Sequence, residues 1–122
     1  MKVTSTPIQD CYLITPEVFQ DERGYFYESF HKEKFEALTG IATDFVQDNQ
    51  SRSKKGVVRG LHFQKVPHQQ AKLVRVISGQ VLDVVVDLRK YSSSFGEHYC
   101  VILDEDNKNQ LYIEYYHANH RE

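Results

Sequence analysis

Short apolar, strand-like runs recur between polar segments over most of the chain after Asp44, and in two of them, 72–77 and 81–88, the two faces separate with a period of two. Clusters of serine, glycine and asparagine, which are the usual turn formers, separate the runs. Six strands are predicted in this part of the chain, at 45–48, 57–64, 72–77, 81–88, 98–103 and 110–115. Short strands at this spacing favour a β-sandwich or barrel over a fold in which strands and helices alternate.

The first forty residues add two strands and one helix. A Cys-Tyr-Leu-Ile run predicts a strand within 8–15, and an aromatic run predicts another at 25–30 after a polar turn. The segment HKEKFEAL contains helix formers and is followed by Gly40, so one short helix is expected at 31–38. Neither a repeat nor a linker divides the chain, and we therefore predict one all-β domain over 1–122.

Charged residues on the predicted strands leave open which faces are buried. The run 81–88 has an apolar face formed by its even-numbered positions, whereas Asp83, Val85 and Asp87 occupy the other face. Asp83 therefore faces either solvent or a polar interior. For these carboxylates and for the basic residues of the preceding strand, a solvated sheet face with cross-strand ion pairs is the commoner outcome.

The segment 56–64 places an arginine and a histidine in an apolar strand with a glycine between them. Strict alternation would put Arg59 and His62 on opposite faces of that strand. A β-bulge at Gly60 would break the alternation and let both side chains reach one cavity. The alternative is an edge strand with Arg59 in solvent and His62 as a hydrogen-bonded core residue. The pattern alone favours neither interpretation.

Composition narrows the class of protein. A chain of 122 residues forms one modest core, and a net charge of -2 without a basic or acidic half predicts neither a nucleic-acid nor a membrane partner. Cys11 and Cys100 lie far apart and form no Cys-x-x-Cys pair. The first residues lack the apolar run of a signal peptide. These features predict a cytoplasmic protein with reduced thiols.

The candidate chemistry centres on His62. The sequence contains no G-x-S-x-G, Gly-rich phosphate loop or HExxH motif. Apart from the pair His117 and His120, its histidines lack the spacing of metal ligands, so neither a metal nor a cofactor is expected. A histidine is a suitable general base near neutral pH. Arg59 is suited to holding a phosphate, and Lys72 to stabilising a developing oxyanion. Together they describe proton abstraction beside a carbonyl of a phosphorylated substrate.

Six blocks of the sequence resemble the dTDP-4-dehydrorhamnose 3,5-epimerase family: 21–30, 45–53, 58–64, 71–76, 79–89 and 107–113. The resemblance implies a metal-free cupin-type jelly roll that works as a homodimer. It also implies epimerisation of dTDP-4-dehydro-6-deoxy-D-glucose at C3 and C5, on the route to dTDP-L-rhamnose. In that scheme His62 matches the base, Lys72 lies near the enolate oxygen, and Arg59 binds the pyrophosphate.

The resemblance also implies residues that hold the substrate. Gln47 and Asn49 match substrate-binding positions in the family. Arg23 and Glu28 match nucleotide contacts that the N-terminal segment delivers to the site of the partner subunit. These four residues lie outside the His62 strand, so the fold must bring them to it.

The resemblance stops after about Ile113, where the family pattern expects further strands with a general-acid tyrosine and a carboxylate that orients the histidine. Neither residue can be placed in 114–122, so a truncated or internally deleted chain is expected. On one alignment Tyr115 matches the residue that stacks on the thymine. Equally, 114–122 fits an aromatic strand end followed by a frayed polar tail.

Three functions therefore stand side by side. The first is an epimerase of this family, the second is a non-catalytic dTDP-sugar-binding remnant, and the third is a related cupin 3,4-ketoisomerase. The blocks around Arg23, Gln47 and Lys72 favour the epimerase over the ketoisomerase.

Overall fold

The computed structural model describes residues 1–62, 70–114 and 117–121, the last of these by backbone alone. Strands dominate the described part of the chain, as predicted. The ten strands are β1 (Lys2–Ser5), β2 (Cys11–Thr15), β3 (Val18–Asp21), β4 (Gly24–Tyr27), β5 (Arg59–His62), β6 (Lys72–Arg75), β7 (Gln80–Asp87), β8 (His98–Asp104), β9 (Gln110–Ile113) and β10 (His117–Arg121). The helix, α1, spans Lys32–Thr39 and confirms the one predicted near 31–38.

Two four-stranded antiparallel sheets form the body of the fold, in the orders β1-β2-β9-β6 and β5-β10-β7-β8. Their facing surfaces bury one apolar cluster, which includes Val74 of the first sheet and Val85 of the second. This arrangement is a β-sandwich, one of the two architectures that the spacing of the strands favours, and it agrees with the jelly roll that the family resemblance implies. The hairpin β3–β4 is a separate two-stranded sheet.

Helix α1 covers the outer surface of the first sheet. The His31 side chain accepts a hydrogen bond from the backbone N–H of Lys34, and Gly40 ends the helix at a φ of 72°, in the left-handed region. Phe35 is buried against Tyr112 of β9, with the ring centroids 5.1 Å apart. The helix thereby closes a second apolar cluster on the side of the sheet away from the main core.

The face of β7 that carries its two aspartates is buried, whereas a solvated face was the commoner outcome expected from the sequence. Asp83, Val85 and Asp87 are fully buried, whereas Leu82 is 36% exposed. The expectation of a solvated sheet face was therefore wrong for both carboxylates. The alternation of faces was predicted correctly, but the face with the aspartates lies inside, where Ser92 and Ser94 of the loop after β7 donate hydrogen bonds to Asp87.

Three other expectations differ from the structure. The segment 45–48, predicted as a strand, forms none. The polar segment at 117–121 is the inner strand β10, between β5 and β7, and not a frayed tail. The strands β1 and β3 were not predicted.

Candidate functional site

A backbone irregularity in β5 brings Arg59 and His62 to one face of the sheet. His62 pairs with Asn119 and Arg59 pairs with Arg121, so three steps along β5 oppose two steps along β10. Positions two apart on a strand share a face, and residues directly opposite each other in a ladder do the same. Gly60 lies within the irregularity with a φ of 141°, which favours glycine. The predicted break in alternation near Gly60 is confirmed.

The same face continues from β5 across β10 onto β7. Arg121 pairs with Asp83 on its other side, and Asn119 pairs with Val85. Arg59 and His62 are therefore on the side of the sheet that carries the buried Asp83. Both are nevertheless exposed, because β5 is the edge strand of this sheet in the described part of the chain. The edge-strand interpretation was right for Arg59, but His62 is not a core residue.

Lys72 approaches from the opposite sheet. It is half-buried at the start of β6, two positions before the core residue Val74. Lys72, Ile113 and Cys11 form one row across this sheet. Burial raises the pKa of the Cys11 thiol in this row to about 11, and the charge of Asp83 adds to that shift. Lys72 shares a face of β6 with Val74, and Asp83 shares a face of β7 with Val85, so both belong to the faces that the two sheets turn toward the core.

Gln47 and Asn49 lie in the irregular segment between α1 and β5. Their side chains meet, with the Gln47 Nε2 atom donating to the Asn49 Oδ1 atom at 3.3 Å. Both residues are exposed, so their amides are accessible to a ligand. Tyr115, the remaining binding candidate, lies outside the described residues.

Arg23 and Glu28 belong to the β3–β4 hairpin and the residue that follows it. The Arg23 guanidinium contacts the Asp21 carboxylate at 2.6 Å, with 90% of the arginine side chain exposed. Glu28 contacts Lys34 of α1 at 3.0 Å. These ion pairs lower the pKa of Asp21 and of Glu28 through hydrogen bonds from Arg23 and Lys34, respectively. Exposed pairs contribute little stability, so a competing anion or cation can replace either partner.

A cleft of about 430 Å³ was not predicted from the sequence. It lies between the segment that carries Gln47 and the end of β9, and Tyr112 and Glu114 line its far wall. The Tyr112 hydroxyl donates to the Glu114 carboxylate at 3.0 Å. No signal in the sequence could have located this cleft, because it depends on how the irregular segment crosses the sheet.

A hydrogen-bonded cluster closes the far end of β7. The Asp87 carboxylate accepts hydrogen bonds from the Ser92 and Ser94 hydroxyls, each at 2.6 Å, and from the Arg89 guanidinium at 3.1 Å. Arg89 also contacts Asp10 at 3.1 Å. Burial raises the pKa of Asp87, but these hydrogen bonds outweigh it and hold the pKa well below its usual range. Asp87 is therefore a structural anion.

Two further observations bear on function. No cluster of three or more His, Cys, Asp or Glu side chains with the geometry of a metal site occurs among the described residues. No helix in the described ranges is long and apolar enough to cross a membrane.

The chain was compared with known proteins by sequence and by structure. Residues 5–120 match the family model described as dTDP-4-dehydrorhamnose 3,5-epimerase. An Escherichia coli K12 protein of that name is 52% identical over 113 residues, which cover 93% of this chain and 61% of the relative. The chain therefore spans about three fifths of the length of this curated relative.

Solved structures agree with the sequence comparison. A dTDP-4-dehydrorhamnose 3,5-epimerase from Elizabethkingia anophelis superposes with a TM-score of 0.94 at 53% identity, over 99% of this chain and 66% of that one. A Legionella pneumophila 3,5-epimerase in complex with dTDP-4-keto-L-rhamnose gives a TM-score of 0.92 at 47% identity, over 98% of this chain and 63% of that one. The cupin-type jelly roll is thus the fold of this chain.

Proposed function

Because the chain belongs to the dTDP-4-dehydrorhamnose 3,5-epimerase family, we propose that it acts in the epimerisation of dTDP-4-dehydro-6-deoxy-D-glucose at C3 and C5. The product is dTDP-4-dehydro-L-rhamnose. The observation that carries this proposal is the irregularity in β5, which puts Arg59 and His62 on the sheet face that holds Asp83. An arginine that binds phosphate and a histidine that acts as a base can serve the same substrate when they share one face.

The proposed chemistry begins with the 4-keto group, which acidifies the hydrogens on the two neighbouring carbons. His62 removes one of these protons, and the electron pair of the broken C–H bond moves into an enolate whose charge rests on the C4 oxygen. Lys72 stabilises that oxygen by donating a hydrogen bond. Water delivers a proton to the opposite face of the carbon, and the enolate electron pair forms the new C–H bond, which inverts the centre and regenerates the ketone. The proton held by His62 passes to solvent.

Arg59 supports this chemistry by binding the pyrophosphate of the dTDP group. Its guanidinium matches two phosphate oxygens at once and fixes the position of the sugar relative to His62. The exposed amides of Gln47 and Asn49 are available to hydrogen-bond the substrate. We assign Tyr115 to thymine stacking on the family resemblance alone.

We also propose a homodimer in which the hairpin reaches the site of the other subunit. Phe19 and Phe26 face each other across the hairpin and are 58% and 69% exposed. A two-stranded hairpin with an exposed aromatic pair is suited to burial against a second copy of the chain. Arg23 and Glu28 would then exchange their present ion pairs for nucleotide contacts.

The two unpaired cysteines are consistent with our placement of the reaction in the cytoplasm.

The test is incorporation of solvent deuterium into the dTDP-4-keto sugar, followed by NMR. We expect deuterium at C3 or C5 with the unaltered chain and no detectable incorporation with His62→Asn. His98→Asn is the matched control, because His98 is also an exposed strand histidine but lies on β8. It should exchange deuterium at the unaltered rate. An unaltered chain that exchanges no deuterium would refute the catalytic proposal.

Deuterium exchange, combined with calorimetry, also separates the epimerase from the non-catalytic binder and the ketoisomerase. A non-catalytic binder would bind dTDP in calorimetry without exchanging deuterium. A 3,4-ketoisomerase would exchange deuterium but give a product whose ketone has moved from C4 to C3.

A further inference from the structure

The β3–β4 hairpin shares no backbone ladder with the two main sheets in the described part of the chain. Two-stranded hairpins are only marginally stable on their own in water. Side-chain contacts must therefore set where this hairpin lies. Because Arg23 lies at its turn, the same contacts set where the Arg23 guanidinium can reach.

One face of the hairpin carries two stacked tyrosines. Tyr25 and Tyr27 are two positions apart on β4, and their ring centroids lie 6.0 Å apart with an interplanar angle of 27°. The exposed phenylalanines lie at the alternate positions of the hairpin, on its other face. The tyrosine face is the one that the body of the protein contacts.

Two cations from the body reach this tyrosine face. The Lys108 ammonium lies 4.2 Å from the centroid of the Tyr25 ring, within the range of a cation–π interaction. Arg75 of β6 places its Nη1 atom 3.4 Å from the Tyr27 hydroxyl. The Lys108 contact is the one that acts on Tyr25, which is nearer to Arg23 along the chain than Tyr27 is.

Lys108 is held in a defined position by the turn between β8 and β9. Its backbone has a φ of 54°, in the left-handed region, and its ammonium donates to the Glu105 carbonyl oxygen at 2.7 Å. Asp104 accepts hydrogen bonds from the backbone N–H groups of Asp106 and Asn107 in the same turn. A lysine anchored at both ends has lost most of the side-chain freedom that weakens exposed contacts.

We propose that Lys108 is a positioning residue, which docks the hairpin through Tyr25 and so presents Arg23 to the nucleotide. This inference rests on the proposed function for the role of Arg23, but the docking itself does not. An exposed cation–π contact of this kind corresponds to about a twofold to fivefold change in an equilibrium constant. We expect Lys108→Met to weaken dTDP binding by that factor and to leave the maximal rate of deuterium exchange unchanged.

The experiment combines amide hydrogen exchange, resolved for residues 18–27, with calorimetric titration of dTDP. Lys108→Met should raise exchange in the hairpin about twofold to fivefold, whereas Lys108→Arg should preserve protection because a guanidinium also stacks on an aromatic ring. Lys90→Met, which removes another exposed lysine on the loop after β7, is the control and should change neither readout.

A double-mutant cycle shows whether Lys108 acts through Tyr25. In a Tyr25→Leu background, Lys108→Met should have no further effect on hairpin exchange or on the Kd for dTDP. An additive effect, or unchanged hairpin exchange in the single variant, would overturn the docking. Faster hairpin exchange with an unchanged Kd would overturn the link to Arg23. If the unaltered chain binds no dTDP, the proposed function fails, while the exchange data still decide the docking.

Discussion

Two aspartates on the same face of β7, one in the middle of the strand and one at its end, have different surroundings. Asp83 and Asp87 are both fully buried on one face of one strand. Asp87 accepts hydrogen bonds from Arg89, Ser92 and Ser94, a fixed set of neighbours that closes one end of the fold. Asp83 lies on the face that leads across β10 to the exposed edge strand β5.

The contrast shows that burial alone does not decide whether a carboxylate in this fold serves stability or chemistry. At the closed end the loop after β7 folds back and supplies donors, so the charge stabilises the fold. At the open end the same face carries exposed cationic and titratable side chains, which are suited to meeting a ligand. Substitutions at the closed end should therefore affect stability, and substitutions at the open end should affect chemistry.

The largest effect is expected for Asp87→Asn. This substitution leaves Arg89, whose side chain is only 16% exposed, without its charged partner on β7. Breaking a buried ion pair from one side costs about 3 kcal/mol. Urea denaturation monitored by circular dichroism should show a free energy of unfolding lower by about that amount. A loss below about 1 kcal/mol would contradict a structural role for the cluster.

The pH dependence of this variant tests the same cluster. Since the pKa of Asp87 is lowered in the folded state, its stabilising contribution is complete above the unfolded-state pKa of about 4. The contribution is lost as the pH falls below that value. The difference in stability between the unaltered chain and Asp87→Asn should therefore be constant from pH 6 to 8 and shrink below about pH 4.

At the open end, Lys72→Met should reduce deuterium exchange into the dTDP-4-keto sugar by about 10²-fold, because one oxyanion donor is lost. Methionine keeps most of the length and apolar surface of the lysine side chain, so the free energy of unfolding should change by less than about 1 kcal/mol. Arg75→Met on the same strand is the control, and it should leave the maximal exchange rate unaltered. Equal rates for Lys72→Met and the unaltered chain would remove Lys72 from the mechanism.

A smaller effect is expected for Gly60→Ala. The φ of 141° at Gly60 disfavours any residue with a Cβ atom, at a cost of roughly 1–3 kcal/mol. Relief of that strain would displace Arg59 relative to His62, so deuterium exchange should fall as well as stability. Gly79→Ala is the matched control, because Gly79 also has a positive φ, of 86°, but lies in the turn before β7. The control should lose stability and keep its exchange rate.

The smallest effect concerns the two thiols. Burial raises the pKa of Cys11 to about 11, whereas Cys100 is exposed on β8. Iodoacetamide at pH 8 should therefore modify Cys100 at least about tenfold faster than Cys11, since the thiolate is the nucleophile. Peptide mapping after a time course would measure the two rates. Comparable rates would show that the interior at the row of Lys72 is open to reagent.

The sequence predicted much of this fold because alternation is a strong local signal. The strands β6 to β9 lie within a few residues of their predicted bounds, and helix α1 lies within one residue of its prediction. The sequence could not predict which face of β7 is buried, because the hydrogen bonds that satisfy Asp87 come from residues beyond the strand. The local pattern also did not predict that 45–48 forms no strand, or that 117–121 pairs with two strands, β5 and β7.

The candidate site was predictable to a different extent. The odd spacing of Arg59 and His62 around Gly60 predicted the irregularity, because the chemistry required both side chains on one face. Asp83 was singled out in the sequence, but not as a residue on the same sheet face as Arg59 and His62. Its position became clear only from the ladder that joins β5 to β7 through β10. Residue roles in that site remain predictions.

The closed end also has a kinetic consequence. The contact between Arg89 and Asp10 joins positions 79 residues apart, and the Gln9 backbone N–H donates to Ser94 across 85 residues. Closing such long loops costs more entropy than pairing β7 with β8, which follow each other in the chain. We therefore expect these two long-range contacts to form after the rate-limiting step of folding. Asp10→Asn, which removes the charged partner of Arg89 on the distant segment, should then accelerate unfolding while leaving the refolding rate almost unchanged, so the contact lengthens the lifetime of the folded state.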